Sequence, residues 1–197
     1  MKRGNRLSVA IGSAFLVTAA ITAPSAVADS TASADSSRSA FRAQAVAAGL
    51  TATEATALQK AVDAALAQDG GKQTAANEIR YADGRLLLPL PGEKYARELD
   101  KSSKTGNKAV KAHTCTKGAL CGYSGRGYTG AEREWFSCVF HKKPSSWKSG
   151  GSWYNNQTPG RVGNWYSPTK KWLGATKPAP WGETHGQWRG VGYVKPC

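Results

Sequence analysis

The side chains of this chain that could move a proton are few. Past residue 112 they are His113, His141 and His185, with the carboxylates Glu132, Glu134 and Glu183. A Ser–His–Glu arrangement built on Glu183 can be drawn, yet no G-x-S-x-G nucleophile elbow accompanies it. Glu132 and Glu134 stand two residues apart, so on a strand they share a face. Read as solvated surface groups, they are too close and too exposed for a glycosidase pair. Zinc needs three or four ligands at recognisable spacing, which scattered histidines do not supply. No Asp follows Asp100, which argues against a hard-cation cage built on several carboxylates. The sequence therefore assigns no catalytic residue, no metal and no cofactor, and reads as a protein that is not an enzyme.

The composition points to binding instead. The 197 residues carry 27 Lys+Arg against 13 Asp+Glu, a formal net charge of +14. That length allows one or two small domains. The last 84 residues hold all 4 Cys, all 7 Trp and 14 of the 22 Gly, with 12 basic and 3 acidic side chains, or +9. Such a surface favours acidic polymers, and Trp is enriched at binding hot spots.

The elements that must position these residues divide into five segments. Residues 1–28 have Lys2, Arg3 and Arg6, an apolar run from Leu7 to Ile21, and Ala26-Val27-Ala28 as a small-x-small site. This is the layout of a secretory signal peptide, and the run is too short and interrupted to span a membrane. Export makes two disulfides the expected use of four Cys, although four Cys allow three connectivities. Residues 29–49 are rich in Ser and Ala and read as a linker. In 50–93, Thr51 and Glu54 form a capping box. Leu58, Val62, Ala65 and Leu66 share a helical face, and Asp83-Gly84 between two apolar-containing runs predicts a hairpin. This helix-plus-hairpin α+β unit is too small to stand alone and reads as a pro-region that is removed or aids folding; the alternative is a permanent N-terminal domain. Residues 94–113 are a basic linker.

Residues 114–197 read as all-β. Turn residues recur at short spacing, and strands are predicted over Glu134–Phe140, Gly163–Tyr166 and Trp188–Val194. The richest stretch begins with Cys115, Cys121 and Tyr123. It continues to Tyr128 and Gly130 in an aromatic-x4-aromatic-x-Gly pattern. This predicts a folded-over hairpin whose rings pack across the bend, with Gly130 at a backbone angle that disfavours a side chain. Tyr166, Trp172 and Gly174 repeat the pattern with one extra residue.

These motifs resemble the signature of βγ-crystallin Greek-key domains. With C-x5-C-x-Tyr-Ser-Gly and Ser152 to Gly160, they are more similar still to the actinobacterial peptidase inhibitor family I36, which includes the Streptomyces metalloproteinase inhibitor. The resemblance implies a two-motif Greek-key sandwich. It implies a Cys115–Cys121 pair, which leaves Cys138–Cys197, and a secreted, extracellular inhibitor of a peptidase. The family's second short disulfide loop is missing here, so no reactive bond is carried over.

An inhibitor of this kind presents a rigid loop to a cleft. Candidate loops are Pro144–Trp153, with Trp147, Lys148 and Trp153, and Lys177–Gly182, with Lys177, Pro178, Pro180 and Trp181. In the second, the prolines are expected to hold the chain extended. Motif logic puts Tyr123, Trp165 and Trp172 inside, and Trp147, Trp153 and Trp181 outside. The alternative function is a basic, Trp-rich binder of cell-wall polysaccharide or anionic surfaces, with antimicrobial action. Nucleic acid is set aside because of export, and the expected state is a monomer without a membrane span.

Overall fold

The computed structural model describes residues 28–99 and 115–197. The signal peptide, apart from Ala28, lies outside the described residues, as do His113 and most of the 94–113 linker. Among the described residues, no helix is long and apolar enough to cross a membrane.

Helix α1 spans Ala28–Ala47 and α2 spans Ala52–Asp69. Thr51 caps α2: the Glu54 amide donates to its hydroxyl at 3.2 Å, and its own amide donates back to Glu54 Oε2 at 2.8 Å. The 29–49 segment is therefore a helix for nearly its whole length, not a linker. Its Ser-Ala composition suggests flexibility, yet Ala is the best helix former. Phe41, Ala45 and Leu50 give the segment an apolar anchor against Leu58, Leu90 and Leu99.

Seven antiparallel strands form the first sheet in the order β1-β2-β3-β5-β4-β7-β10. They are β1 Lys72–Ala75, β2 Glu78–Tyr81, β3 Gly84–Leu87, β4 Leu120–Tyr123, β5 Glu132–Trp135, β7 Gly150–Asn155 and β10 Trp181–Gln187. The second sheet runs β6-β11-β8-β9, with β6 His141–Lys142, β8 Asn164–Tyr166, β9 Trp172–Ala175 and β11 Tyr193–Lys195. The strand expected over Glu134–Phe140 stops at Trp135, where the Phe136 amide turns to Asp83 O. The one expected over Trp188–Val194 is a turn closed by Val191 N and Trp188 O, then β11.

The helix-plus-hairpin segment is not a separate body. Gly84–Leu87 of β3 pairs with Glu132–Trp135 of β5, so the hairpin extends the main sheet. Val62, Ile79 and Leu86 share one core with Leu120, Trp135 and Trp188. Val62 and Ile79 are fully buried, which a unit of this size could not achieve alone.

Indole rings fill the space between the sheets. Trp188 lies 5.1 Å from Trp147, 5.5 Å from Trp165 and 5.6 Å from Trp153, ring centre to ring centre. Trp135 meets Trp188 edge-on at 6.4 Å. This corrects the expected sorting. Trp147 is 4 % exposed and belongs to the core, Trp153 packs against it, and Trp172 is 58 % exposed. In residues 114–197, which hold few aliphatic side chains, the large rings are the available filler, and each buries up to about 250 Å².

Cysteine bridges join Cys115 to Cys121 and Cys138 to Cys197. Two disulfides suit a protein that matures in an oxidising, extracellular setting.

Candidate functional site

Ser137, His141 and Asp83 come together where the β2–β3 turn meets β6. His141 Nδ1 lies 2.9 Å from Asp83 Oδ2, and Nε2 lies 3.4 Å from Ser137 Oγ. The residue types are those of a serine nucleophile, its base and its orienting acid, but the protons are distributed otherwise. Ser137 Oγ donates to Asp83 Oδ2 at 2.6 Å, and His141 Nε2 faces the Ser137 carbonyl oxygen at 2.8 Å. The serine hydroxyl proton is thus directed to Asp83, and Nε2 sits closer to the Ser137 carbonyl than to its hydroxyl, so the ring is not placed as the base of that hydroxyl. The trio is a latch between the hairpin and the second sheet. His185 is exposed, beside the Thr184 hydroxyl at 2.9 Å, while its amide donates to Glu183 Oε1.

Glu132 and Glu134 are not surface groups. Both are 1 % exposed, on the face of β5 that looks toward Tyr123 and Cys121. Arg85 of β3 donates to Glu134 at 2.7 Å, and the Thr116 amide and hydroxyl donate to the same carboxylate at 2.8 and 2.7 Å. The Tyr123 hydroxyl donates to Glu132 at 3.4 Å. Burial, followed by the charges of Glu132 and Glu134, pushes the Tyr123 phenol well above its usual range. The sequence hid this burial because the partner strand lies 49 residues away, beyond any local pattern. Cys121 with Glu132 and Glu134 brings a sulfur and two carboxylates within 4.8 Å. That sulfur is spent in a disulfide and Glu134 is spent on Arg85, so the set does not suit a cation.

Arg133 on the opposite face stacks over Tyr81 at 4.0 Å and donates to Glu134 O at 2.7 Å. Burial draws its pKa down to about 10, which leaves it charged at neutral pH. It lines an open cleft of about 340 Å³ with Asp69, Asp83, His141 and Lys142.

The paired aromatics of the first motif are in contact. Tyr123 and Tyr128 meet edge-on at 5.3 Å. Gly130 has φ +77°, and a Cβ there would sit 2.1 Å from Ser124 Oγ. The second motif differs. Tyr166 and Trp172 pair across β8 and β9 on the outer face of the second sheet, and nothing stands within 4 Å of a Cβ on Gly174.

The two candidate loops also differ from each other. Pro144–Trp153 is tied down. Trp147 is core, the Lys143 ammonium donates to Pro144 O and Trp147 O at 3.0 and 2.5 Å, and the Ser145 amide and hydroxyl donate to Asp69 of α2. Ser146, Lys148 and Ser149 are exposed in its middle.

The second loop is braced from beneath. Asn155, fully buried, places Nδ2 at 2.8 Å from Arg161 O and 3.2 Å from Lys177 O. The Ala179 amide donates to Arg161 O at 2.8 Å, and the Gly160 amide donates to Ala179 O at 3.1 Å. Lys177, Pro178 and Pro180 are exposed, Trp181 is half-buried, and Lys177 Nζ stands 5.4 Å over the Trp181 ring. Residues 178–180 bend instead of running extended as expected, with Ala179 buried between the exposed Pro178 and Pro180.

The chain matches no protein-family model, no curated protein and no solved structure. The resemblance to the I36 inhibitors thus rests on the motifs themselves.

Proposed function

We propose that this protein is a secreted, non-catalytic peptidase inhibitor whose βγ-crystallin-like Greek-key body presents the Lys177–Trp181 loop to an extracellular peptidase. The observation that carries this reading is the Asn155 brace. A side chain with no exposure holds the carbonyls of Arg161 and Lys177 beneath an exposed, cationic, proline-containing turn. A loop already fixed loses little entropy on binding and yields poorly to the distortion that cleavage requires. The Ser137 hydroxyl, which donates to Asp83 and not to His141, supports a passive role for the domain.

The 50–93 segment is proposed to act as a folding aid that covers the edge of β5, with processing in the 94–113 stretch. N-terminal sequencing of the secreted protein tests this, and a start at Asp29 would contradict removal.

The inhibitor reading is tested by titrating the secreted protein against thermolysin-like, subtilisin-like and papain-like peptidases. The expected result is stoichiometric inhibition of one class, weakened by Lys177→Ala and by Asn155→Ala. Absence of inhibition across all three would overturn it.

A further inference from the structure

The outer face of the second sheet carries an aromatic row that the peptidase loop does not use. Register places Lys142, Tyr193, Tyr166 and Trp172 side by side across β6, β11, β8 and β9. At the usual strand spacing that row is about 14 Å long. The indole N–H of the exposed Trp172 donates to Asn164 Oδ1 at 3.1 Å, which holds the ring across the sheet. Phe140, also exposed, stands 4.8 Å from Tyr166 and 6.1 Å from Tyr193.

Ammonium groups flank these rings. Lys170 Nζ lies 5.1 Å from the Phe140 ring and 5.4 Å from the Tyr193 ring, and Lys195 Nζ lies 5.7 Å from Phe140. No strand of this sheet contains Asp or Glu, so the positive charge here is not neutralised on the sheet itself.

We propose that this face binds an acidic polysaccharide. Preset rings offer their negative faces to the C–H faces of sugars, while Lys142, Lys170 and Lys195 meet carboxylate or phosphate substituents along the same polymer. Single-stranded nucleic acid also stacks on aromatics beside cations. Two observations favour the polysaccharide. The two disulfides suit an oxidising compartment, away from the nucleic acids of the cell interior. Phe140 also stands at 75° and 82° to its tyrosine neighbours, which breaks the run of parallel faces that successive bases would need.

The test uses the secreted protein with polygalacturonate as the acidic probe, dextran as the neutral probe and single-stranded oligo(dT), each read by calorimetry at low and high salt. The expected result is salt-sensitive binding of polygalacturonate and weaker binding of dextran. Trp172→Ala and the double change Lys170→Gln with Lys195→Gln should each reduce polygalacturonate affinity about tenfold. Near-UV circular dichroism of the buried tryptophans should be unchanged in both variants, and peptidase inhibition should not move. Three results would overturn the proposal: no polygalacturonate binding by the parent, affinity unchanged in both variants, or displacement of polygalacturonate by oligo(dT). Sedimentation showing that Trp172 is covered in a dimer would do so as well.

Discussion

Arg85 and Glu134 form a buried ion pair that joins the N-terminal hairpin to the C-terminal sheet, with Nε 2.7 Å from Oε2. The Arg85 side chain is further engaged by Glu98 and by Glu78, so one guanidinium collects three carboxylates at the seam. Replacing such a pair by apolar groups can be neutral, but removing one partner strands a charge. In the full-length, unprocessed chain Arg85→Ala should therefore cost about 3–5 kcal/mol in urea unfolding. Adding Glu134→Gln should return part of that loss. Equal stability of Arg85→Ala and the parent would show that the seam is open in solution.

Alkaline pH should loosen the fold. Burial, the leading cause in each case, raises the phenols of Tyr81, Tyr123 and Tyr128 above their ordinary value of 10.0. A group whose folded pKa is raised binds its proton more tightly when folded. That stability is fully present below pH 10 and is lost as pH climbs through the raised values. Melting temperature against pH should fall beyond about 10, and absorbance at high pH should show three tyrosines ionising late or only on unfolding. Tyr123→Phe should flatten the fall.

Gly151 is where the tryptophan cluster meets the backbone. A Cβ there would stand 2.0 Å from Trp188 Nε1 and 2.6 Å from Tyr123 O, the donor and acceptor of a 2.7 Å hydrogen bond. Gly151→Ala must displace the indole or the strand. The expected loss is about 1–3 kcal/mol, as for other overpacked cores, with a red-shifted tryptophan emission. An unshifted spectrum at full stability would contradict the packing described.

The bridge between Cys138 and Cys197 spans 59 residues. Closing a loop of that length contributes about 4 kcal/mol in the chain-entropy model. Replacing both cysteines by Ala should lower the urea midpoint by a corresponding amount, while the shorter Cys115–Cys121 loop should matter less.

Local signals were readable in the sequence and long-range ones were not. The Thr51–Glu54 cap, the β2–β3 hairpin (its turn is Ala82-Asp83, one residue before the expected Asp83-Gly84) and a β-rich, disulfide-braced C-terminal part depend on neighbours in the chain. The burial of Glu132 and Glu134 depends on β3, which arrives from before the linker and brings Arg85 with it. The tryptophans show the same limit. Trp147 sits among Ser and Lys and reads as exposed, yet Pro144 and Asp69 fold its loop inward. Trp172 sits in a motif and reads as buried, yet the bulge at β8–β9 leaves it on the outer face. Ser and Ala in 29–49 suggested a linker because composition alone does not reveal that Phe41, Ala45 and Leu50 find a partner surface.

The braced Lys177–Trp181 loop is proposed to bind a peptidase without being consumed. The most direct measurement is a tight-binding titration of the inhibited peptidase, followed by mass analysis of the recovered protein. The expected result is a one-to-one end point, an intact chain after prolonged incubation, and for Asn155→Ala both weaker inhibition and cleavage within residues 176–182. Full inhibition by Asn155→Ala, or inhibition that survives replacement of Lys177, Pro178 and Trp181 together, would contradict it.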